Sequence, residues 1–505
     1  MYNLNVILST TVSKGDLFMQ KIQKYLSQID EVIEKGPFKD TWESLSDFKV
    51  PSWYREKRFG IFIHWGVYSV PSTESEWYPR QMYKKCTKSN SFHDKEYGRN
   101  VEYRHLIDKF KPENFNADEW VSIFKQSGAK YIMPVGEHHD GVKMYKSDLN
   151  RWNMADLNGR DYMAELHDAC DKADMGFLIS NHRAEHFWFF NGARKYYPNS
   201  EISKNLYPDL YGPAYMPKSR HIDRTDEEIT PSKEYLEEWL ATACEMIDKN
   251  KPLAVYFDWW VFKKEFYPYM KKFLAYYYNR GVEWDEEVCV FYKYSSIFDG
   301  CAIYDVERGQ IDGVARELWQ NDTAIAKNSW GYTKNNRFKT PGEIVRNMIE
   351  VVSKNGCYML NVGPKPDGTI CDEEKNVLLE IGMWMNINGE AIYGSYPYEI
   401  CASEGKKSKN GTFKENKKFS SKDFCFTAKK GKLYIFPMGS KLPQTLKIKS
   451  MRFDNEHGIR YDIRRVHILG ENKDLHFEQS KKCMQIDLGK KLNNEMPICI
   501  CIETE

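Results

Sequence analysis

The sequence predicts an α/β protein, a (β/α)8-like barrel with a C-terminal antiparallel β-sandwich domain. Three observations predict it. Eight short apolar runs, near residues 60, 131, 176, 253, 288, 302, 315 and 357, are separated by stretches that include several of helical periodicity. Several of those runs end in reactive polar residues, as strands do at the C-terminal rim of a barrel. After Gly389 the texture changes to short apolar–polar alternations with turn signals, the pattern of a small antiparallel domain. The expected organisation is an N-terminal extension with one amphipathic helix (1–50), the barrel (51–390) and the sandwich (391–505).

In chain order, Ile22, Tyr25, Leu26, Ile29, Val32 and Ile33 set a helix from Asp16 to about Glu34, which Gly36-Pro37 ends. Such a helix would pack on the main domain or mediate a homo-oligomer. The run Phe59 to Ile63 reads as a buried strand ending in His64. Asn116 can cap a helix through Lys125, closed by Gly128. Tyr131 to Val135 is a strand that opens into Gly136-Glu137-His138-His139-Asp140-Gly141. A helix from Asp161 to Ala173 leads to a strand from Gly176 to Ser180, then Asn181-His182. A helix from Ser232 to Lys249 precedes Leu253-Ala254-Val255-Tyr256-Phe257, a strand buried on both faces that runs into Asp258-Trp259-Trp260.

After a helix from Glu265 to Asn279, further strands are expected at Val288–Tyr292, Ala302–Val306 and Ala315–Trp319. Pro341 suits the first position of a helix after Thr340. The strand Cys357–Val362 and a helix from Asp372 to Ile387 complete the barrel. In the last domain, Lys432–Phe436, Leu446–Ile448, Val466–Leu469, Met484–Leu488 and Ile498–Ile502 read as strands. Lys406 to Lys418, rich in Lys, Asn and Ser, reads as a solvated loop.

Bulk properties exclude several functions. The 505 residues carry 73 basic and 72 acidic side chains, a formal charge of +1, so there is no electrostatic case for nucleic acid or an anionic membrane. No apolar stretch is long enough to span a bilayer. Met1 to Gly15 lacks the basic start and apolar core of a signal peptide, and the twelve cysteines show no CxxC or zinc-ligand spacing. The expectation is a cytoplasmic protein with reduced thiols. Aromatic residues make up 15% of the chain, with 14 Trp and 33 Tyr, and aromatic faces hold the apolar faces of sugar rings as readily as they fill cores.

The strand ends carry His64, the pair His138-His139, His182, Asp258 and, in Asp305-Val306-Glu307-Arg308-Gly309, Glu307. Each has a bland alternative as a cap or a satisfied core residue. Together they suit hydrolysis of a glycosidic bond, which needs one carboxylate to attack or activate water and another to protonate the departing oxygen. Asp258, at the end of a dry strand beside two indoles, is the candidate nucleophile and Glu307 the candidate acid/base, with Glu317 as fallback. A competing reading is a zinc hydrolase, because His182, Glu185 and His186 match an H-x-x-E-H pattern. That motif needs a helix, and here it follows directly on the apolar run Phe177-Leu178-Ile179.

The run Phe59-Gly60-Ile61-Phe62-Ile63-His64-Trp65-Gly66 with Val67-Tyr68-Ser69-Val70-Pro71, then Glu76-Trp77-Tyr78, resembles the opening of the glycoside hydrolase family 29 α-L-fucosidases. Glu137 to Gly141, Ser329-Trp330-Gly331-Tyr332, Leu360-Asn361-Val362-Gly363-Pro364 and Asp367-Gly368-Thr369-Ile370 resemble later motifs of that family, in its order. The resemblance implies a barrel with a β-sandwich, and retaining release of terminal α-L-fucose from fucosylated oligosaccharides or glycosides with neither cofactor nor metal. It places Asp258 on the nucleophile and Glu307 on the acid/base of part of the family. His64, Glu76, Trp77, His138 and His139 fall on sugar-binding motifs, with His182 and Trp319 as further candidate sugar contacts.

Three departures stand out. Trp259-Trp260 follow the nucleophile where relatives often carry a small residue and Gly, which would narrow the leaving-group side. Ser180-Asn181-His182 replaces a Tyr-rich motif. Trp319-Gln320 stands where many relatives read Trp-Glu, which strengthens Glu307 as the acid. A sugar-binding protein without turnover is the remaining alternative, and the presence of both acids argues against it.

Overall fold

The computed structural model describes residues 14–197, 201–204, 209–218, 229–398, 402–415, 418–453 and 462–504. Strands β1 (Phe59–Ile63), β2 (Tyr131–Glu137), β3 (Gly176–Phe177), β4 (Ile179–Asn181), β5 (Ala254–Phe257), β6 (Cys289–Tyr292), β7 (Ile303–Asp305), β8 (Trp319–Ala324) and β9 (Gly356–Val362) form one parallel sheet. β3 and β4 are two pieces of one barrel position, both paired with β2. β1 pairs with both β2 and β9, so the sheet closes into a barrel of eight positions. Closure leaves no free edge, and apolar residues on both faces explain the near-continuous hydrophobic runs in the sequence.

Helix boundaries follow the expected caps. Asn116 accepts from Glu119 N ahead of the helix Ala117–Gln126, and Asp161 accepts from Ala164 N ahead of Tyr162–Ala173. Thr340 and Glu343 form a capping box around Pro341 at the start of Pro341–Ser353. The N-terminal helix, Lys14–Lys35, lies on two barrel helices, Lys233–Asn250 and Tyr267–Trp284. Ile22 is buried with Ala241, Gln23 donates to Glu237 at 2.9 Å, and Lys272 meets Asp30 at 2.5 Å. Its apolar stripe is therefore covered within the chain.

The seventh predicted strand is displaced. Ala315–Trp319 was the apolar choice, but β8 runs Trp319–Ala324, through the polar Gln320-Asn321-Asp322-Thr323. Those side chains are buried, and each makes at least one hydrogen bond. Gln320 bonds Tyr54 and Asp305, Asn321 bonds the carbonyls of Val306 and Gly309, and Asp322 accepts from Tyr256. Paired polar groups can occupy a core that hydrophobicity alone would not assign to them.

The C-terminal region carries a six-stranded antiparallel sheet and a three-stranded one, with a small two-stranded pair. Phe424, Phe426, Ile435, Leu446, Ile448, Val466, Ile486, Ile500 and Ile502 form their shared core. This core is the product of period-two alternation in strands such as 424–429 and 432–437. Among the described residues no cysteine is in a disulfide, and no helix is long and apolar enough to cross a membrane.

Candidate active site

The C-terminal ends of the barrel strands meet around a cavity of about 200 Å³, the space of one monosaccharide ring. Its walls include His64, Glu76, Trp77, His138, His139, His182, Asp258 and Glu307. His64, His138, His182, Asp258 and Lys293 each stand one residue past a strand end, and Glu307 stands two past β7, on a common rim.

On the β1–β4 side the groups are imidazoles held in fixed orientations. His64 Nδ1 lies 2.7 Å from Asn361 Oδ1, while Asn361 Nδ2 donates to Trp330 O. His64 Nδ1 therefore carries the proton, and Nε2 is left as an acceptor. His138 packs against Tyr68 and His182, and its Nδ1 has no hydrogen-bond partner. His139 Nδ1 lies 2.9 Å from His182 O and 3.1 Å from Glu185 Oε2, which aims Nε2 toward Asp258, 3.6 Å away. Burial pushes His64, His138 and His182 below the ordinary histidine range, so these three rings are neutral at neutral pH. Glu76 accepts from Ser329 Oγ and the backbone N–H groups of Trp330 and Gly331 through one oxygen.

On the β5–β8 side the groups are charged and share one cation. Lys293, the first residue after β6, places Nζ 3.3 Å from Asp258 Oδ1, 2.6 Å from Glu307 Oε2 and 3.7 Å from Asp322 Oδ2. His182 donates from Nδ1 to Asp258 Oδ2 at 3.0 Å, and Ser180 Oγ meets its Nε2 at 3.0 Å. Trp259 Nε1 donates to Glu307 Oε2 at 3.0 Å.

The two acids respond differently to this surrounding. Burial opposes the charge on Asp258, but Lys293, His182 and His139 outweigh it and hold the carboxyl well below the usual range. Burial, reinforced by Asp322 and Asp258, raises Glu307 above the usual range against the pull of Lys293. Beneath them burial, reinforced by Asp322, raises Asp305 well above the usual carboxyl range. A pair of carboxyls with pKa values driven apart by their environments separates a nucleophile from a proton donor.

The stretch 406–415 exposes its lysines, as its composition suggests, yet its backbone is tied to the barrel rim. Gly411 and Gln310 exchange backbone hydrogen bonds, Phe413 N donates to Glu307 O at 2.9 Å, and Glu415 N donates to Arg308 O at 3.0 Å. Glu415 is half-buried or better against Thr323, Lys339 and Arg308, which anchors the segment. Gly309 permits this approach, because a Cβ there would lie 2.4 Å from Gly411 O. Phe413 thereby reaches the cavity wall.

Of the candidates from the sequence, eight line the cavity together. Trp319 does not. It begins β8 at the far end of the barrel, and its Nε1 donates to Lys354 O, a direct consequence of the displaced strand. Glu317 is also removed, an exposed side chain beside Arg316. The H-x-x-E-H stretch does not form a helical metal site. Arg183–Glu185 is a 3-10 turn, His186 bonds His139 O, and Glu185 bonds His139. Among the described residues, the groups with metal-ligand spacing in the cavity are His64–His138–His182 and His139–His182–Asp258, and both run through His182, whose ring nitrogens are already engaged.

Lys293, Asp322 and Tyr256 line the cavity without having been singled out, and Trp330, quoted only as part of a motif, joins them. Lys293 was within reach of the sequence, since it ends the apolar run at 288–292 just as Asp258 ends its own. Asp322 was hidden inside a strand whose polarity reads as loop.

A barrel whose rim holds a low-pKa aspartate and a high-pKa glutamate around a one-sugar cavity has the architecture of a glycoside hydrolase. A family model described as alpha-L-fucosidase matches residues 25–390, and the chain belongs to that family. A putative alpha-L-fucosidase of Caenorhabditis elegans is 30% identical over 373 residues, covering 71% of this chain and 69% of that protein. The tissue alpha-L-fucosidase of Bos taurus is 28% identical over 375 residues, covering 71% of this chain and 72% of that one. The crystal structure of the Thermotoga maritima alpha-fucosidase in complex with a mechanism-based inhibitor superposes with a TM-score of 0.73 at 24% identity, over 92% of this chain and 100% of that one, a likeness of fold.

Proposed function

We propose that this family member is an exo-acting, retaining α-L-fucosidase that removes terminal fucose from fucosylated glycans or glycosides. Asp258 attacks C1 as the C1–O bond breaks, and Glu307 gives its proton to the departing oxygen. Glu307 then takes a proton from water, which attacks C1 and frees Asp258. Lys293 and His182 hold Asp258 ionised and oriented. His64, His138 and His139 bond the sugar hydroxyls, Trp77 covers an apolar face, and Glu76 sits at the end of the pocket.

The observation that carries the retaining reading is Lys293. An ammonium 3.3 Å from Asp258 Oδ1 and 2.6 Å from Glu307 Oε2 draws the two carboxyls together, which favours the close spacing of a retaining pair over the wider gap that an inverting pair needs for its water.

The test uses an aryl α-L-fucoside. Asp258→Asn is expected to lose roughly 10⁴-fold in kcat while fucose binding survives. Glu307→Ala is expected to regain turnover in azide and to yield an azide of the starting anomeric configuration. Near-normal turnover by Asp258→Asn, or an inverted first product from the wild-type chain, would refute the mechanism.

A further inference from the structure

The cavity mouth has structure of its own. Three aromatic side chains from three separate segments surround the acid/base. Trp259 follows β5 and bonds Glu307 directly. Tyr294 follows β6 and packs edge-on against Trp259, with ring centroids 5.4 Å apart. Phe413 arrives from the C-terminal region on the segment that pairs with residues 307–310.

Their exposure does not fit a core. Tyr294 is 38% and Phe413 52% exposed, in a chain that buries most of its aromatics. Their backbones do not fit a relaxed loop either. Tyr294 (φ 54) and Phe413 (φ 55) lie in the left-handed region, as do Trp260 (φ 71) and Arg308 (φ 42) beside them. Bulky residues enter that region at a cost, and such positions cluster where a binding surface must be presented. Here the surrounding structure enforces it, through the backbone bond from Phe413 to Glu307 and the buried Glu415 two residues on.

We propose that Trp259, Tyr294 and Phe413 form a collar that binds the leaving group, a second pyranose ring whose apolar face lies against these aromatics. The inference rests on the hydrolase reading above. The oxygen that Glu307 protonates joins the two sugars, so the ring beyond it must lie next to the indole that bonds Glu307. Trp259 and Phe413 line the cavity, Tyr294 packs on Trp259 beside it, and aromatic faces are the surface that the C–H face of a sugar prefers to water. Because Phe413 comes from outside the barrel, the C-terminal region is part of the leaving-group site and sets linkage preference. Binding energy gained there is used in the step that breaks the bond, so it affects kcat/KM for the whole glycan.

The experiment compares α-L-fucosyl fluoride, whose leaving group carries no ring, with a panel of α-L-fucosyl disaccharides of differing linkage. The variants are Phe413→Asn and Tyr294→Asn, since Asn tolerates the left-handed backbone. The expected result is that the ratio of kcat/KM on the best disaccharide to kcat/KM on the fluoride falls about tenfold in each variant, with a changed order among linkages. Equal losses on both substrates would overturn the collar, as would an unchanged ratio. A loss that grows with leaving-group pKa across substituted aryl fucosides would also overturn it, because that signature belongs to a misplaced Glu307. A wild-type chain inert on the fluoride would refute the hydrolase reading itself, and the collar with it.

Discussion

The two halves of the cavity solve different problems with different chemistry. The β1–β4 half presents imidazoles whose orientations are set by neighbours such as Asn361 and the His182 carbonyl. The β5–β8 half sets Asp258, Glu307 and Asp322 around Lys293, with Asp305 hydrogen-bonded to Asp322 behind them. Recognition of hydroxyls needs direction, and a neutral ring with one nitrogen pinned supplies it without adding charge to a dry site. Bond cleavage needs two carboxyls in opposite protonation states at one pH. That requires an unequal field, which only a charged cluster supplies. His182 is the seam, since it belongs to the imidazole set and yet donates to Asp258.

The largest expected effect from breaking this division is at Lys293. Lys293→Met removes the ammonium that lowers the proton affinity of both acids, so both pKa values rise. Asp258 must be ionised and Glu307 protonated, so the acid limb of the kcat/KM profile should move up, the alkaline limb should move up with it, and the maximum should fall roughly 10²–10³-fold. Lys293→Arg should restore much of the rate. Profiles of the three proteins on one aryl fucoside check this, and limbs that stay in place would remove Lys293 from the electrostatic account.

A change in the imidazole half should look different. His64→Gln loses one oriented acceptor, and the expected cost is about 10–100-fold in kcat/KM. Both pH limbs should remain near their wild-type positions, because His64 is neutral throughout the working range. A pH limb that vanished with His64 would assign that titration to the wrong half.

The smallest effect is on stability, at Glu185. Burial raises this carboxyl to about 7, beside His139. Its folded pKa lies above its unfolded value, so the folded state holds the proton more tightly. That stabilisation is fully present below about pH 4.5 and is lost as pH rises to about 7. Glu185→Gln imitates the protonated form. Its Tm relative to wild type should therefore rise as pH is raised through that window and stay level beyond it. Thermal unfolding across pH reads this out, and a flat difference would place the ionised form of Glu185 in a satisfied site.

Much of this architecture was written in local patterns. Continuous apolar runs such as 131–135 and 253–257 identified barrel strands, because a strand buried on both faces has no polar period. The caps Asn116, Asp161 and Thr340 located helices through backbone donors that each helix start must satisfy. Asp258, Glu307 and the histidines were visible because barrel chemistry collects at strand ends. β8 was misplaced because Gln320, Asn321, Asp322 and Thr323 are buried through partners as distant in sequence as Tyr54, Tyr256 and Glu415. No local window contains those partners, and Trp319 was misassigned as a result.

The sequence by itself determined the alternation of strands and helices and the polar residues that gather at the strand ends, Asp258 and Glu307 among them. It could do so because hydrophobic period, capping and strand-end position are properties of neighbouring residues. Only the tertiary structure decided that one lysine serves both acids, that Glu317 and Trp319 stand apart from them, and that a lysine-rich stretch of the last domain reaches the cavity with Phe413. Each of these is a distance between residues far apart in the chain. Such distances are set by barrel closure and by buried anchors such as Glu415, which no local pattern encodes.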